Sequence, residues 1–306
     1  MKDAVIGFDT SNYTTSCAWF NGESGENSGM LLDVRPGELG LRQSEALFSH
    51  VRRLPGIVEA LKIEGGIAAV GASTQPRETA DSYMPCFLAG ASQAQVLASL
   101  LKVPFFAFSH QQGHIAAAAW SSGHPELMDT PHLAWHLSGG TTELLYVKPQ
   151  GCAVVCEKVG GTTDLAAGQV IDRAGVLLGL QFPAGRALDA LAAEAVRKTY
   201  YTPRVSGLTF SVSGIEHKMK QMQDAGEPAA EIAYFTIASV VSAVHRVTAN
   251  ARRLFGALPV LYSGGVASNS LLRAMTPDGY FAQPRYSTDN AMGCAILTYR
   301  AVKSNG

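Results

Sequence analysis

The sequence predicts an α/β fold built of two similar lobes. Three observations carry that reading. Apolar runs of strand length alternate with helical patterns along the chain. A strand, polar turn, strand unit occurs twice, first as AVIGFDT and TTSCAWF joined by SNY, then as PHLAWHL and TELLYV joined by SGGT. Glycine turns follow apolar strands at Leu137 to Thr141 and at Tyr262 to Asn269, where a ligand can approach a backbone that carries no Cβ. In both hairpins the turn holds small and hydroxyl residues (Thr10, Ser11, Thr14; Ser138, Gly139, Gly140, Thr141). Such turns can expose N–H groups to an anion.

The remaining elements follow in order. Helical segments are expected near residues 43–53 and 55–61, broken at Pro55, then a strand at IAAVGAS and a helix near residues 87–102. The strand PFFAF leads into a helix that Ser109 caps and that runs through HQQGHIAAAAW. After the second hairpin a strand is expected through 154–159, with helices over 164–178, after Gly185, over 213–224 and over 229–255. The buried strand PVLYSG, a helix from Ser268 and a last helix over 290–302 complete the chain. Pro36-Gly37 and the run from Ser121 to Pro125 are the strongest loop signals, and the second marks the domain boundary.

With 306 residues, 47% of them hydrophobic, the chain can bury a substantial core in each of two domains. Charged residues make up 16%, with 24 Lys and Arg against 25 Asp and Glu and a net charge of −1. That balance excludes nucleic-acid binding by bulk charge, so any RNA contact is local or shared with a partner. The first residues lack a basic stretch before an apolar run, and no segment reads as the roughly 20 apolar residues of a membrane span. Five cysteines, three of them within apolar patterns, suit a reducing cytoplasm. Cys152 and Cys156 share one strand face but sit about 13 Å apart at strand rise, too far for one metal ion.

The sharpest chemical signal is His110-Gln-Gln-Gly-His114, because imidazoles four apart on a helix project from one face. A bare pair of this kind more often faces solvent, so a third ligand decides the matter. Tyr286-Ser-Thr-Asp289-Asn290 offers one: Thr288 or Asp289 caps the last helix, or Asp289 supplies a carboxylate oxygen. Two imidazoles and a carboxylate with open positions are the ligand set of a catalytic Zn²⁺ or non-haem Fe²⁺. The run from Asp164 to Arg173 and the segment from Phe182 to Asp189 carry carboxylates that could hold ribose hydroxyls, or could simply form solvated helix faces.

These residues resemble the universal family of tRNA threonylcarbamoyladenosine transferases, once called O-sialoglycoprotein endopeptidases. Asp9 to Thr15 lies over the family's Glu-Thr-Ser-Cys-Asp-Glu-Thr, His110 to His114 over His-x-Glu-Gly-His, and Ser138 to Thr142 over Ser-Gly-Gly-His-Thr. Gly168 to Arg173 is similar to Gly-Glu-Ala-Phe-Asp-Lys, Phe182 to Arg186 to Tyr-Pro-Gly-Gly-Pro, and Phe210 to Gly214 to Phe-Ser-x-Ser-Gly. Gly264 to Asn269 matches Gly-Gly-Val-x-x-Asn, and Thr288 to Asn290 matches Thr-Asp-Asn.

The resemblance implies the actin-like ATPase fold (ASKHA, ribonuclease H-like), with residues 1–123 plus 288–306 as one lobe, 124–287 as the other, and a nucleotide cleft between. It implies that His110, His114 and Asp289 hold one divalent metal, Fe²⁺ or Zn²⁺. It implies that His136, Leu137, Ser138, Gly139, Gly140, Asp172, Gly185, Asp189 and Asn269 contact an adenylate, threonylcarbamoyl-AMP or ATP. The implied reaction is transfer of the threonylcarbamoyl group to N6 of adenosine 37 in an ANN-decoding tRNA, in the cytoplasm. The implied partners are a smaller paralogous actin-like subunit and an ATPase subunit.

The departures from the family include four neutralised positions: Tyr13, Gln112, Thr141 and Gln169 stand where it has Asp, Glu, His and Glu. Those changes keep open an alternative, a catalytically silent or repurposed nucleotide- and metal-binding paralogue that serves as a scaffold or acts on another substrate. A peptidase is disfavoured, since no glutamate adjoins the first histidine to serve as base.

Overall fold

The computed structural model describes residues 4–11, 13–33, 41–63, 65–79 and 81–304; the Pro36 loop signal and Asn12 of the first turn lie outside them. In chain order the elements begin with β1 (Ala4–Asp9), β2 (Thr14–Phe20), β3 (Gly25–Leu31), α1 (Gln43–Glu59), β4 (Ile67–Gln75), α2 (Phe87–Leu101), β5 (Phe105–Ser109) and α3 (His110–Ser121). A 3₁₀ turn (Pro125–Asp129) leads to β6 (His132–Leu137), β7 (Thr142–Gln150), β8 (Ala153–Thr162), α4 (Ala167–Leu177), α5 (Gly185–Ala192), β9 (Val205–Ser206), β10 (Thr209–Phe210) and α6 (Ser213–Asp224). The chain ends with α7 (Ala229–Phe255), β11 (Val260–Ser263), α8 (Ser270–Met275), β12 (Tyr280–Phe281) and α9 (Met292–Ser304).

Two compact units emerge. The first comprises Met1–Thr130, Lys148–Cys156 and Thr288–Gly306; the second, Pro131–Val147 and Glu157–Ser287. The first unit therefore runs past residue 123, because the 3₁₀ turn packs against α3, and it also takes the segment around the β7–β8 turn.

In the first unit the sheet order is β3-β2-β1-β4-β5, with β1, β2 and β3 antiparallel and β4 and β5 parallel to β1. Apolar side chains of β1 and β4 (Ile6, Phe8, Val70, Ala72) meet Leu54 and Ile57 of α1 and Ala89 and Ala94 of α2 on one face. Helices α3 and α9 pack together, and α9 lies along β1 and β4. Helix α1 is continuous through Pro55, against the expected break. Proline removes the bond to the carbonyl of Val51, an exposed residue that water can serve, while buried Leu54 and Ile57 hold the helix to the sheet.

In the second unit the sheet order is β12-β11-β6-β7-β8-β10-β9. Its core is built from Leu133, Trp135 and Leu137 of β6, Ile171 of α4, and the apolar residues of α7. Helix α7 is long and apolar enough by composition to cross a membrane, which corrects the expectation that no segment is, yet 72% of its most apolar window is buried in this core. Helix α4 begins at Ala167 rather than Asp164. The Asp164 carboxylate instead accepts from the amides of Val212 and Ser213 at 3.0 and 3.1 Å, securing the start of α6.

Candidate functional site

Helix α3 starts as its sequence dictates: Ser109 accepts from the Gln112 amide, and Gln112 Oε1 accepts from the Ser109 amide, a reciprocal cap. This places His110 in the first turn and His114 one turn later, their ring centres 4.3 Å apart. Asp289 precedes α9. Its Oδ1 lies 3.5 Å from His110 Nε2 and 3.3 Å from His114 Nε2. The cap expected of Thr288 or Asp289 falls to Asn290, whose Oδ1 accepts from the Met292 amide, so Asp289 can face the histidines. The two helices cross where a Cβ on Gly293 would overlap the carbonyl of Gly113 and lie 2.8 Å from its Cα. That close crossing brings the three side chains together.

Sequence reasoning missed Asp9 here. It is buried at the end of β1, and its Oδ2 accepts from His110 Nδ1 at 2.7 Å. Only the Nδ1–H tautomer satisfies that bond, which leaves Nε2 directed at Asp289. Burial pulls the His110 imidazole down, but Asp9 and Asp289 outweigh it and push it up to about 10. Burial raises the Asp289 carboxyl, and the two histidines more than reverse that, holding it well below the usual carboxylate range.

The ligand atoms of His110, His114 and Asp289 all lie within 4.8 Å of one another. Metal–nitrogen and metal–oxygen bonds of about 2.0–2.2 Å span such separations, and a carboxylate behind one histidine is the usual outer support. The residues therefore fit a divalent transition metal. Neither Cys152, in the turn before β8, nor Cys156 belongs to this group.

Two of the four neutralised positions receive a structural reason. Gln112 is buried; besides its cap, its Nε2 donates to Glu78 Oε1 at 2.5 Å and to the Val154 carbonyl at 2.8 Å. Gln169 Oε1 accepts from the Ala166 amide at 3.0 Å at the start of α4. Gln112 completes a capping box with Ser109, and Gln169 supplies the same back-bond to the first amide of α4 without a side-chain partner at Ala166; Glu and Gln serve alike in that role. Replacing Gln112 with Glu restores the family residue but sets a third acceptor against Glu78 and Val154. About 2 kcal/mol of stability should be lost at neutral pH, and denaturant titrations should show the loss shrinking in acid, where a protonated carboxyl can donate again. Thr141 closes its turn with Ser138: the Thr141 amide donates to Ser138 Oγ and its carbonyl accepts from the Ser138 amide. Tyr13 is a half-buried turn residue whose carbonyl accepts from the Leu32 amide.

The two hairpin turns differ. In the first, the Ser11 and Thr14 amides are committed to Asp9 and to the Ser11 carbonyl, and Thr10 is buried against α2, so this turn offers less to an anion than its composition suggests. In the second, the amides of exposed Gly139 and Gly140 carry no hydrogen bond among the described residues. The second unit also holds a cavity of about 740 Å³ lined by Gly139, Asp172, Gly185, Asp189 and Asn269 among others. His136, Leu137, Ser138 and Gly140 do not line it: His136 Nδ1 lies 3.2 Å from Ser263 Oγ, and Leu137 is core. Asp189 is largely spent on the fold, accepting from Asn269 Nδ2, Ser270 Oγ and the Ser270 amide. Asp172 gives one oxygen to the Ala184 amide; its other oxygen has no partner among the described residues. Gly168 heads the motif read at Gly168 to Arg173, but no local pattern told what that glycine does. A Cβ there would stand 2.6 Å from the Ser138 carbonyl, so this glycine lets α4 sit against the Gly139 turn. Arg186, on the cavity wall, has no ion-pair partner among the described residues.

The family profile TsaD, tRNA N6-adenosine threonylcarbamoyltransferase, matches residues 83–296. A curated protein of that same name from Thermus thermophilus is 31% identical over 258 residues, 82% of this chain and 77% of that protein. Among solved structures, full-length HypF in its phosphate- and nucleotide-bound form superposes with a TM-score of 0.63 at 13% identity, covering 99% of this chain and 55% of that one. Component A of the Acidaminococcus fermentans (R)-2-hydroxyglutaryl-CoA dehydratase gives 0.58 at 15% identity, covering 99% and 100%. At these identities the structural matches establish the fold alone, the actin-like α/β fold expected above.

Proposed function

The chain belongs to the tRNA N6-adenosine threonylcarbamoyltransferase family, and from that premise we propose that it transfers a threonylcarbamoyl group from an adenylate to N6 of an adenosine in tRNA. The observation that carries this reading is the extent of the match, since residues 83–296 include the whole donor cluster and the whole lining of the cavity.

The chain's own residues divide the work. In the second unit, the free amide of Gly139 and the guanidinium of Arg186 suit the phosphate of an adenylate, and Asp172 suits a ribose hydroxyl. In the first unit, His110, His114 and Asp289 would hold a divalent metal, with Asp9 fixing the His110 tautomer. Bound there, the metal supplies Lewis acidity toward a carbonyl or phosphoryl oxygen. In the transfer, the adenosine N6 attacks the carbamoyl carbon, the bond from that carbon to the phosphate oxygen breaks, AMP leaves with the bonding pair, and N6 gives up a proton. A partner-shared RNA surface accords with a net charge of −1.

Gly265 lines the cavity, and a Cβ there meets nothing within 4 Å. Gly265→Val should leave the melting temperature unchanged and weaken AMP binding at least tenfold in calorimetric titration, because its methyl groups occupy ligand space. The reading itself is tested by incubating the protein, with its partner subunits, with threonylcarbamoyl-AMP and an ANN-decoding tRNA, then digesting the RNA for mass spectrometry. Threonylcarbamoylated adenosine is expected. Unmodified tRNA beside intact adenylate binding would favour the silent-scaffold alternative.

A further inference from the structure

Residues 195–215 of the second unit carry Arg197, Lys198 and Arg204 and no acidic residue. In a chain of net charge −1 that run is a local source of positive field. Ahead of its short hairpin strands the segment is irregular, yet it is pinned along α7. Glu231 Oε1 accepts from the Val196 and Arg197 amides at 3.0 and 2.9 Å, the Tyr201 amide donates to Ser239 Oγ at 2.8 Å, and Arg246 Nη1 donates to the Pro203 carbonyl at 2.6 Å. Irregular segments held on a rigid scaffold are frequent carriers of binding surfaces.

Most of the positive charge here is unspent. Arg197 pairs with Glu227, but the exposed Lys198 and Arg204, and Lys218 on α6, have no ion-pair partner among the described residues. Glu216 of α6 is taken by Arg173 and Lys220. Lys218 Nζ stands 5.1 Å from the centre of the Tyr201 ring, and a Cβ on Gly214 would lie 3.3 Å from that ring, so α6 and the segment form one surface. Tyr200 is 52% exposed, with no ring partner among the described residues. Unpaired nucleotides ask for this combination, since their phosphates meet cations and their bases stack on an open aromatic face.

The position agrees. Leu137 pairs with Thr142 across the Gly139 turn, a Cβ on Gly161 would overlap the Thr142 carbonyl, Thr162 pairs with Phe210, and Phe210 pairs with Val205. Arg204 therefore stands at the same end of the sheet as the Gly139 turn. From β7 across β8 and β10 to β9 is about 14 Å at the usual strand spacing. About four stacked nucleotides of one strand cover that distance.

We propose that Lys198, Tyr200, Arg204 and Lys218 form a surface for unpaired RNA, which holds the substrate strand next to its reactive base. Phosphates lie along the three cations, and one base stacks on Tyr200. Its part in the transfer rests on the function proposed above, whereas the binding of RNA does not.

The test is fluorescence anisotropy of the full chain with a labelled anticodon stem-loop of an ANN-decoding tRNA and with a duplex of the stem alone, beside co-sedimentation with phosphatidylserine vesicles. The stem-loop should bind at least tenfold more tightly than the duplex. Replacing Lys198, Arg204 and Lys218 together with Ala should weaken stem-loop binding at least tenfold and reduce the slope of log affinity against log salt by about 2. The melting temperature and AMP affinity of that triple variant should match wild type. Tyr200→Ala should weaken stem-loop binding about fivefold or more. No binding of the stem-loop, equal binding of the duplex, binding of vesicles in place of RNA, or unchanged affinity in the triple variant would overturn the proposal. Transfer assays separate the two readings. RNA bound through these residues but left unmodified would sink the proposed function alone; modification with an unchanged KM for tRNA in the triple variant would sink the surface alone.

Discussion

Asp289→Ala should lower transfer activity at least a hundredfold and leave a folded protein. The start of α9 does not depend on this side chain, since Asn290 and Asn27 accept from the Met292 and Ala291 amides. What disappears is the single oxygen that both imidazoles approach. Two histidines alone form an incomplete site, and lost ligation typically costs more than the ten- to hundredfold seen when outer supports are removed. In the metal-free protein the carboxylate also stabilises the fold through the histidines, with a defined pH window. Asp289 is held below its ordinary 3.8, so its contribution is present above that pH and lost as pH falls through the depressed value. His110 is raised from 6.5 to about 10, so its contribution is complete below 6.5 and lost as pH rises through 10. Wild type and Asp289→Ala should therefore differ most in denaturant titrations between pH 4 and 6.5, and converge toward either extreme. An equal difference at all pH values would contradict the pairing.

Gly293→Val should be the more damaging change to the fold. The new Cβ would overlap the Gly113 carbonyl, a backbone atom that cannot rotate aside. Helices α3 and α9 must then separate along a seam of buried small residues, Ala116 and Ala117 on one side and Cys294 and Ala295 near the other. Overpacking of this kind costs about 3 kcal/mol, to be read as a lower denaturation midpoint. The same separation moves His110 and His114 away from Asp289, so metal binding should fall with stability. A variant that melts normally would show that the crossing yields more readily than its geometry implies.

The regular elements were largely legible. The long amphipathic patterns gave α6 and α7 with the bounds observed, because the period and turn residues agree there. Boundaries set by distant partners were not: Asp164 looked like the start of α4 and instead secures α6, 48 residues on. The donor cluster was readable from one short motif and one carboxylate. Asp9 was not, since its partner lies 101 residues away and no local pattern records that contact. Gln112 and Gln169 were read as lost acidic groups, although Ser109-His-Gln-Gln112 already carried the spacing of a capping box. Gly168 and Gly293 matter through backbone approaches that only the packed fold reveals.

The central claim is a divalent metal held by His110, His114 and Asp289. Elemental analysis of purified wild type and His114→Ala, each exposed to Fe²⁺ or Zn²⁺ and desalted, tests it most directly. The account predicts about one metal ion per wild-type chain and none in a folded His114→Ala; metal retained by both proteins, or by neither, would contradict it.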